Sequence, residues 1–185
     1  TGIPGGGPVR TGIAISDTTA GMFLGQGILL ALLHRAHTGE GQWVHTSLIE
    51  GMLNKLDFQA SRYTVDGVIS EQQGNGHPTI VPMGTYRARD GHVNIAPATS
   101  RMWNAFCEAL GAPELIAKPE YATPASRYEH RDMIDADINA VTEKFDMNEL
   151  VERLNKAGVP CGPILNIGQA FEDPHKHRGL VAAAA

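Results

Sequence analysis

The stretch SDTTAGMFLGQGILLALLHRAH, residues 16–37, is a long apolar run that opens on a single carboxylate, Asp17. Apolar residues lie on every face of the helix it would form, so we predict a helix that other elements cover on most sides. Ser16 or Asp17 is the predicted N-cap, because a short polar side chain there accepts hydrogen bonds from free backbone N–H groups. Gly39 or Gly41 is the predicted stop signal.

The same run does not predict a membrane span. Its most apolar part, residues 20–33, falls below the roughly 20 residues that cross a bilayer. It also contains Gln26. We therefore predict a buried helix of a larger core, and no membrane as a partner.

The overall composition fits a globular domain in a reducing compartment. The 185 residues are 42% hydrophobic, which suits one ordinary domain, or one domain and part of another. A formal net charge of -5 argues against nucleic acid and anionic membranes as partners. Cys107 and Cys161 show neither a metal-binding spacing nor a disulfide framework, so we predict a cytoplasmic location.

After the first helix, the pattern predicts a strand and a second helix. Residues 42–48, QWVHTSL, include the β-branched and aromatic residues that strands favour. Ser47 and Glu50 have the spacing of a capping box, which predicts a helix through about Tyr63. Residues 67–83 are polar and glycine-rich without a clear period, and they form the predicted linker between two domains.

Residues 84–167 have the pattern of a small α+β unit. A hairpin is predicted around Asp90-Gly91 with a type I′ turn, and residues 159–167 are a predicted strand. Three helices are predicted between these strands, one of them with an apolar stripe typical of an amphipathic helix. The predicted signals are Ser100 and Gly111 for the first helix, Ser126 with Glu129 for the second, Asp146 with Glu149 and Gly158 for the third, and the stripe of Ile134, Ile138, Val141 and Phe145.

Asp17 has two interpretations. A carboxylate that caps a helix contributes about 1 kcal/mol through backbone N–H groups and the macrodipole, and position alone favours this structural role. The same helix end keeps a carboxylate ionised, and a carboxylate held against an electrophile can serve as a nucleophile. The small residues that follow, TTAG at 18–21, leave room for a bulky substrate.

The loop QQGNGHP, residues 72–78, is the second candidate for a site. Its composition favours an exposed linker. The alternative is a lid or anion cradle made of Gly74, Asn75, Gly76 and His77, in which bare glycine backbone approaches a developing oxyanion. The loop matches neither GxGxxG nor a P-loop, so no nucleotide phosphate site is predicted.

No metal site and no serine nucleophile are predicted. His34 and His37 lie three residues apart, and His175 and His177 two apart, without a Cys or carboxylate at a recognisable ligand spacing. No GxSxG elbow occurs. Cys161 lies in an apolar strand pattern, which is more typical of a core residue than of a reactive thiol.

Residues 12–53 resemble the class III CoA-transferase family, which includes formyl-CoA and carnitine CoA-transferases and the related α-methylacyl-CoA racemases. In that family an Asp precedes xxxGM, a long apolar helix follows, and RxxTGxGQxVxxSLxE/D closes the element. Three later segments carry the resemblance further. GNGHPTIVPMGTYRARDGHVNIA and RMWNAFCEALG resemble the stretch that opens the family's smaller domain, and AGVPCGPILNIGQAFEDPH resembles its return segment. The matching residues are Asp17, Gly21, Met22, Arg35, Thr38, Gly39, Gly41, Gln42, Val44, Ser47, Leu48 and Glu50.

The resemblance implies that Asp17 is a catalytic residue. Its carboxylate would attack the thioester carbonyl of an acyl-CoA, and a mixed anhydride and an aspartyl-CoA thioester would then let a second carboxylic acid exchange in. Acyl-CoA and a carboxylic acid are the implied substrates, and no cofactor is implied besides the coenzyme A thioester itself. The loop from Gly74 to His77 would close over the intermediates.

The resemblance also implies a fold. Family members combine a Rossmann-like large domain with a small domain, and two chains thread through each other as an interlocked homodimer. We therefore expect an α/β protein in which residues 1–66 end the large domain as a helix-strand-helix unit and residues 84–167 form the small α+β domain. Residues 168–185 would return towards the large domain. The chain would be a C-terminal fragment, inactive alone because most CoA contacts in the family come from the N-terminal half.

Two alternatives stay open. An α-methylacyl-CoA racemase would use Asp17 as one of a pair of acid/base groups that exchange the α-proton. The DTTAGM context is more similar to the transferases. A non-catalytic acyl-CoA-binding or structural homologue would use Asp17 only as a helix cap.

Overall fold

A computed structural model of the chain describes residues 2–173. These residues divide into two compact units, and the division lies between Gly74 and Asn75. It falls inside the stretch 67–83 that the sequence predicts as a linker. Most of the predicted return segment, residues 174–185, lies outside the described residues, and so does the histidine pair at 175 and 177.

The first unit contains the helices α1 (Ile15–Thr38), α2 (Leu48–Asn54) and α3 (Phe58–Asp66). The predicted end of α1 is confirmed. Gly39 has the left-handed conformation, with φ 79°, and its N–H donates to the carbonyl of Arg35. Glycine adopts this conformation without the steric cost that a side chain would add.

The predicted strand at residues 42–48 is wrong, because residues 40–47 form neither strand nor helix. This extended segment packs back on α1 instead of pairing with another strand. A Cβ built on Gly27 would lie 2.6 Å from Cγ1 of Val44. The missing side chain of Gly27 therefore lets the segment lie against the helix.

The predicted helix from Ser47 through Tyr63 is wrong in its length. Ser47 is the N-cap of α2 as predicted, and its Oγ accepts from the N–H of Glu50 at 3.3 Å. The helix then ends after Asn54, and α3 starts four residues later. Asp57 has a φ of 51°, which no residue of an α-helix adopts, so the helical path breaks there.

The expected cover over α1 is not found within the described residues, where Thr19 and Ala20 are its buried positions. The side chains of Leu29 and Leu30 are 68% and 67% exposed. The helix has 24 residues, so the expectation that it is too short to cross a bilayer is also wrong. Length and composition would allow a span, but a core helix of a soluble protein passes the same test. The helix alone therefore does not decide between the two.

The second unit is built on an antiparallel sheet in the order β1 (Gly84–Ala88), β2 (Gly91–Ile95), β3 (Cys161–Pro163). The predicted hairpin is confirmed, and β3 is a shorter strand than the pattern indicates. The predicted type I′ turn is wrong, because neither Asp90 nor Gly91 has a positive φ. A carboxylate oxygen of Asp90 instead accepts from the N–H of Met147 at 2.8 Å and ties the turn to the start of the helix at residues 147–156.

The helices of this unit are α4 (Ser100–Ala109), α5 (Pro124–Glu129), α6 (Arg131–Thr142), α7 (Met147–Lys156) and α8 (Ile167–Glu172). The predicted caps Ser100 and Ser126 are wrong, because Thr99 and Thr123 accept the first-turn N–H groups. Asp146 does precede α7, yet its carboxylate binds Arg89 rather than the helix. Helix ends at positive-φ glycines are confirmed for Gly111 and Gly158.

The core of the second unit lies between the sheet and these helices. The predicted stripe on α6 is confirmed, since Ile134, Ile138 and Val141 are buried and Phe145 packs against the same cluster. Aromatic side chains from other elements complete the core. Fully buried members include Trp103, Phe106, Tyr121, Ile95, Leu150 and Leu154.

Candidate functional site

Asp17 lies in the first turn of α1, with its side chain exposed. It is not the N-cap, because the helix has already begun: the N–H of Thr18 donates to the carbonyl of Ala14 at 3.1 Å. The prediction that Ser16 or Asp17 caps the helix is therefore wrong. Ser16 instead donates from Oγ to a carboxylate oxygen of Asp17 at 3.1 Å. The first turn of a helix still favours the ionised form of a carboxylate.

The backbone under Asp17 is held by the contact between α1 and α2. Thr19 and Ala20 are buried, and a Cβ on Gly51 would lie 3.3 Å from the backbone nitrogen of Ala20. Gly51 therefore lets the two helices approach closely two to three residues after Asp17. Gly51 was not among the residues predicted from the sequence, although a glycine in a helix is a signal of close packing.

The loop predicted as a lid spans the boundary between the two units. Gly74 belongs to the first unit, where its N–H donates to the carbonyl of Gly2 at 2.9 Å. Its φ of 58° requires glycine or strain. Asn75, Gly76 and His77 belong to the second unit. The candidate residues therefore divide, with Asp17 and Gly74 in one unit and the rest of the loop in the other.

Within the second unit the loop is fastened to the start of β1. The carbonyl of Asn75 accepts from the N–H of Thr85 at 3.2 Å, and the N–H of His77 donates to the carbonyl of Met83 at 2.8 Å. A Cβ on Gly84 would lie 2.6 Å from the Asn75 oxygen. Gly84 is thus a second residue that the sequence analysis missed. A glycine that opens a strand often marks a close backbone approach.

Two of the four loop amides are already used. The N–H groups of Gly74 and His77 donate to backbone carbonyls. Within residues 2–173, the N–H groups of Asn75 and Gly76 donate to no acceptor. Consecutive backbone amides can bind a negative oxygen when their N–H groups converge on it. The loop therefore offers an anion two backbone donors rather than four.

The imidazole of His77 acts as a turn cap. Its Nδ1 accepts from the backbone N–H groups of Thr79 at 3.2 Å and Ile80 at 3.1 Å. An Nδ1 that accepts carries no proton, so the proton of the neutral ring is on Nε2. Burial and then the positive charge of Arg131 hold the pKa of His77 below its usual range. The ring is therefore neutral at pH 7.

The cysteines do not offer a second nucleophile. Burial raises the pKa of the Cys107 thiol to about 12 and that of Cys161 to about 11. Both are therefore protonated thiols at neutral pH, and a thiol is a far weaker nucleophile than a thiolate. In the described part of the chain, no group of three or more His, Cys, Asp and Glu side chains could hold a metal ion.

Comparisons with known proteins identify the family. The model of CoA-transferase family III matches residues 1–184. A succinyl-CoA:mesaconate CoA-transferase from Haloarcula marismortui is 37% identical over 96% of this chain and 44% of its own length. A succinyl-CoA–D-citramalate CoA-transferase from Chloroflexus aurantiacus is 34% identical over 95% of this chain and 44% of its own.

A solved structure agrees with these relatives. A CaiB/BaiF family protein from Brucella suis matches with a TM-score of 0.80 and 33% identity, over 97% of this chain and 48% of its own. The chain therefore has the mixed α/β fold of this group and spans less than half the length of the relatives it matches. The resemblance carried by residues 12–53 is confirmed, and the chain belongs to CoA-transferase family III.

Proposed function

We propose that this chain supplies the nucleophile and an oxyanion loop of a CoA-transferase, which moves coenzyme A between two carboxylic acids. The observation that supports this most is the exposed carboxylate of Asp17 in the first turn of α1. The cap role that competes with catalysis needs a backbone N–H of the helix that donates to the carboxylate, and no side chain accepts such a cap bond in α1. The carboxylate is left open to a substrate.

The proposed reaction runs through four acyl transfers at Asp17. Its carboxylate attacks the thioester carbonyl of the acyl-CoA and expels the CoA thiolate, which leaves a mixed anhydride. The thiolate attacks the aspartyl carbonyl, releases the first acid and forms an aspartyl-CoA thioester. The second carboxylate then expels the thiolate to form a new anhydride. Attack of the thiolate on the new acyl carbonyl gives the new acyl-CoA and restores the aspartate, with no net proton consumed.

Each of these steps passes through a tetrahedral oxyanion. We assign its stabilisation to the free amides of Asn75 and Gly76, because backbone donors fixed in advance cost no reorganisation during the reaction. The neutral His77 adds no charge that would hold a product carboxylate.

The remaining features follow from the family. The named relatives act on mesaconate and D-citramalate, so we infer that the acids exchanged here are short dicarboxylates. We also propose a Rossmann-like large domain completed by sequence outside this chain, an interlocked homodimer and a cytoplasmic location. Because the relatives are about twice as long, activity requires the full-length protein, and this chain alone is expected to be inactive.

The test is to trap the intermediate on the full-length protein. Incubation with succinyl-CoA followed by hydroxylamine should convert Asp17 to a hydroxamate, which mass spectrometry locates. Asp17→Asn should abolish both the label and turnover, while Asp66→Asn, a change at another exposed carboxylate of the first unit, should alter neither. A protein that exchanges the substrate's α-proton in deuterated water without a label is a racemase. A protein that does neither is a binding or structural homologue.

A further inference from the structure

Two arginines hold the segment that follows the loop. Arg127 on α5 donates from Nε to the carbonyl of Val81 at 3.1 Å. Arg131, the first residue of α6, donates from Nη2 to the carbonyl of His77 at 2.8 Å. The arginines are four residues apart, and so are the carbonyls they bind. Both ends of residues 77–81 are therefore fixed to one helical region more than forty residues away in sequence.

Arg127 is a structural member of this pair. Its side chain is 2% exposed, and its other nitrogens bind the carbonyl of Tyr121 at 2.8 Å and the hydroxyl of Ser100 at 3.4 Å. The guanidinium also lies over the ring of Trp103. A buried cation is tolerated when its donors are satisfied in this way, so its loss would disturb the core.

Arg131 has a different environment. It is half-buried, and its guanidinium stacks on the ring of Tyr128 with 5.3 Å to the ring centroid. Its hydrogen bond to the His77 carbonyl reaches the loop rather than the core. Replacement of Arg131 should therefore disturb the loop far more than the fold.

Both backbone polar groups of His77 and the Nδ1 of its ring make hydrogen bonds. Its N–H binds Met83, its Nδ1 binds two amides of the following turn, and its carbonyl binds Arg131. Gly76 directly precedes His77. Because a glycine backbone is flexible, the N–H groups of Asn75 and Gly76 could change direction unless the neighbouring residues are held. On the N-terminal side of Gly76, the carbonyl of Asn75 accepts from the N–H of Thr85. On the C-terminal side, His77 limits the freedom of Gly76, and Arg131 is the side chain that holds the His77 carbonyl.

We propose that Arg131 is a positioning residue for the acyl transfer. It fixes the carbonyl of His77 and thereby aims the amides of Asn75 and Gly76 at the oxyanion. This inference rests on the proposed function. It predicts an effect on the rate of the chemical step. A misdirected N–H donor no longer stabilises the transition state, while the contacts that bind the substrate elsewhere are retained.

The experiment measures kcat and KM for succinyl-CoA with the full-length protein. Arg131→Met should lower kcat by roughly 10 to 100-fold, less than the complete loss of one oxyanion donor, and leave KM within about threefold. Arg131→Lys, which keeps one cationic donor, should restore most of the rate. Arg101→Met, which removes an exposed arginine from α4, is the matched control and should leave kcat unchanged. A wild-type kcat in Arg131→Met, or no rescue by Lys, overturns the inference.

A second readout does not depend on turnover. The pKa of the His77 ring, followed by NMR in protein with labelled histidine and assigned with His77→Gln, should rise in Arg131→Met because the nearby positive charge is lost. An unchanged titration would contradict the placement of the Arg131 guanidinium beside His77, on which the inference rests. If Asp17→Asn keeps its turnover, the proposed function itself fails. If Asp17 is essential while Arg131→Met has a normal kcat, this inference alone fails.

Discussion

Gly84 lies so close to the loop that a single added carbon atom, the Cβ of an alanine, would collide with the loop backbone. A methyl group there would lie 2.6 Å from the carbonyl oxygen of Asn75 and 3.2 Å from Cα of Gly76, and both are backbone atoms that cannot rotate away. We expect Gly84→Ala to displace the loop and to lower the free energy of unfolding by about 1–3 kcal/mol, as overpacking does. Urea denaturation would measure the loss.

Gly162 provides the matched control for this change. It lies in β3 of the same sheet, and a Cβ there would meet no heavy atom within 4 Å. Gly162→Ala should therefore leave stability within about 0.5 kcal/mol of the wild type, as a surface change does. Equal effects at the two glycines would show that the close approach of the loop to β1 is not what makes Gly84 necessary.

His77 makes the stability of the folded chain depend on pH. Its hydrogen bonds determine that this stability is lost at low pH. A ring that accepts at Nδ1 must be deprotonated there, and its folded-state pKa is lowered. As the pH falls, His77 therefore takes up a proton in the unfolded chain, near pH 6.5, before it does so in the folded chain. The contribution of His77 to stability is full above that pH and is lost as the pH falls through the lowered folded-state pKa.

The measurement is the difference in thermal midpoint between the wild type and His77→Asn at pH 7.5 and at pH 5.0. The Asn side chain also carries an acceptor for the turn amides, but it does not titrate. We expect the thermal midpoint of the wild type to fall more than that of the variant when the pH is lowered from 7.5 to 5.0. A difference that stays constant between the two pH values would show that the ring does not act as the acceptor.

Sequence reasoning found the residues with local signatures and missed those whose role depends on contacts distant in the chain. Asp17 and the loop around Gly76 are visible because they are part of short motifs. Arg131 has no such signal, since its partner at His77 is 54 residues away. The cap of α4 was also missed, because Thr99 and Ser100 are neighbours with chemically equivalent hydroxyl groups and the backbone decides between them.

At the scale of elements, α6 is the helix whose role is clearest. Ile138 is 1% exposed and lies in the core, while Met133 on the same helix is 39% exposed. We expect Ile138→Ala to cost about 2–5 kcal/mol, because it removes buried methyl groups and leaves a cavity. Met133→Ala should cost under about 1 kcal/mol. Similar losses for the two variants in chemical denaturation would contradict the assigned core face.

Elements were predictable where the apolar pattern of the sequence was clear. The stripe on α6 and the hairpin around Asp90 are both confirmed, although the turn of the hairpin is not of the predicted type. Residues 42–48 have the composition of a strand but no partner strand among the described residues, so composition alone misled. The break at Asp57 was equally hidden, because the residues on both sides of it favour a helix.

At the scale of the whole molecule, the two units differ in how much they bury. The core cluster of large apolar side chains belongs entirely to the second unit. Among the described residues of the first unit, the buried positions are Thr19, Ala20 and Gly51. Three small residues bury too little apolar surface to offset the conformational entropy lost when about seventy residues become ordered.

We therefore expect residues 75–173, expressed alone, to unfold in one cooperative transition, and residues 1–74 to show none. The first piece should instead bind a hydrophobic dye or associate, because α1 presents apolar side chains such as Leu29 and Leu30 to solvent. Circular dichroism melts and sedimentation of each piece would test this. A sharp melt of monomeric 1–74 would show that this unit has a core of its own. Failure of 75–173 to fold would show that the second unit depends on contacts beyond its own cluster. Either result would contradict the expectation that only the second unit has a core sufficient to fold alone.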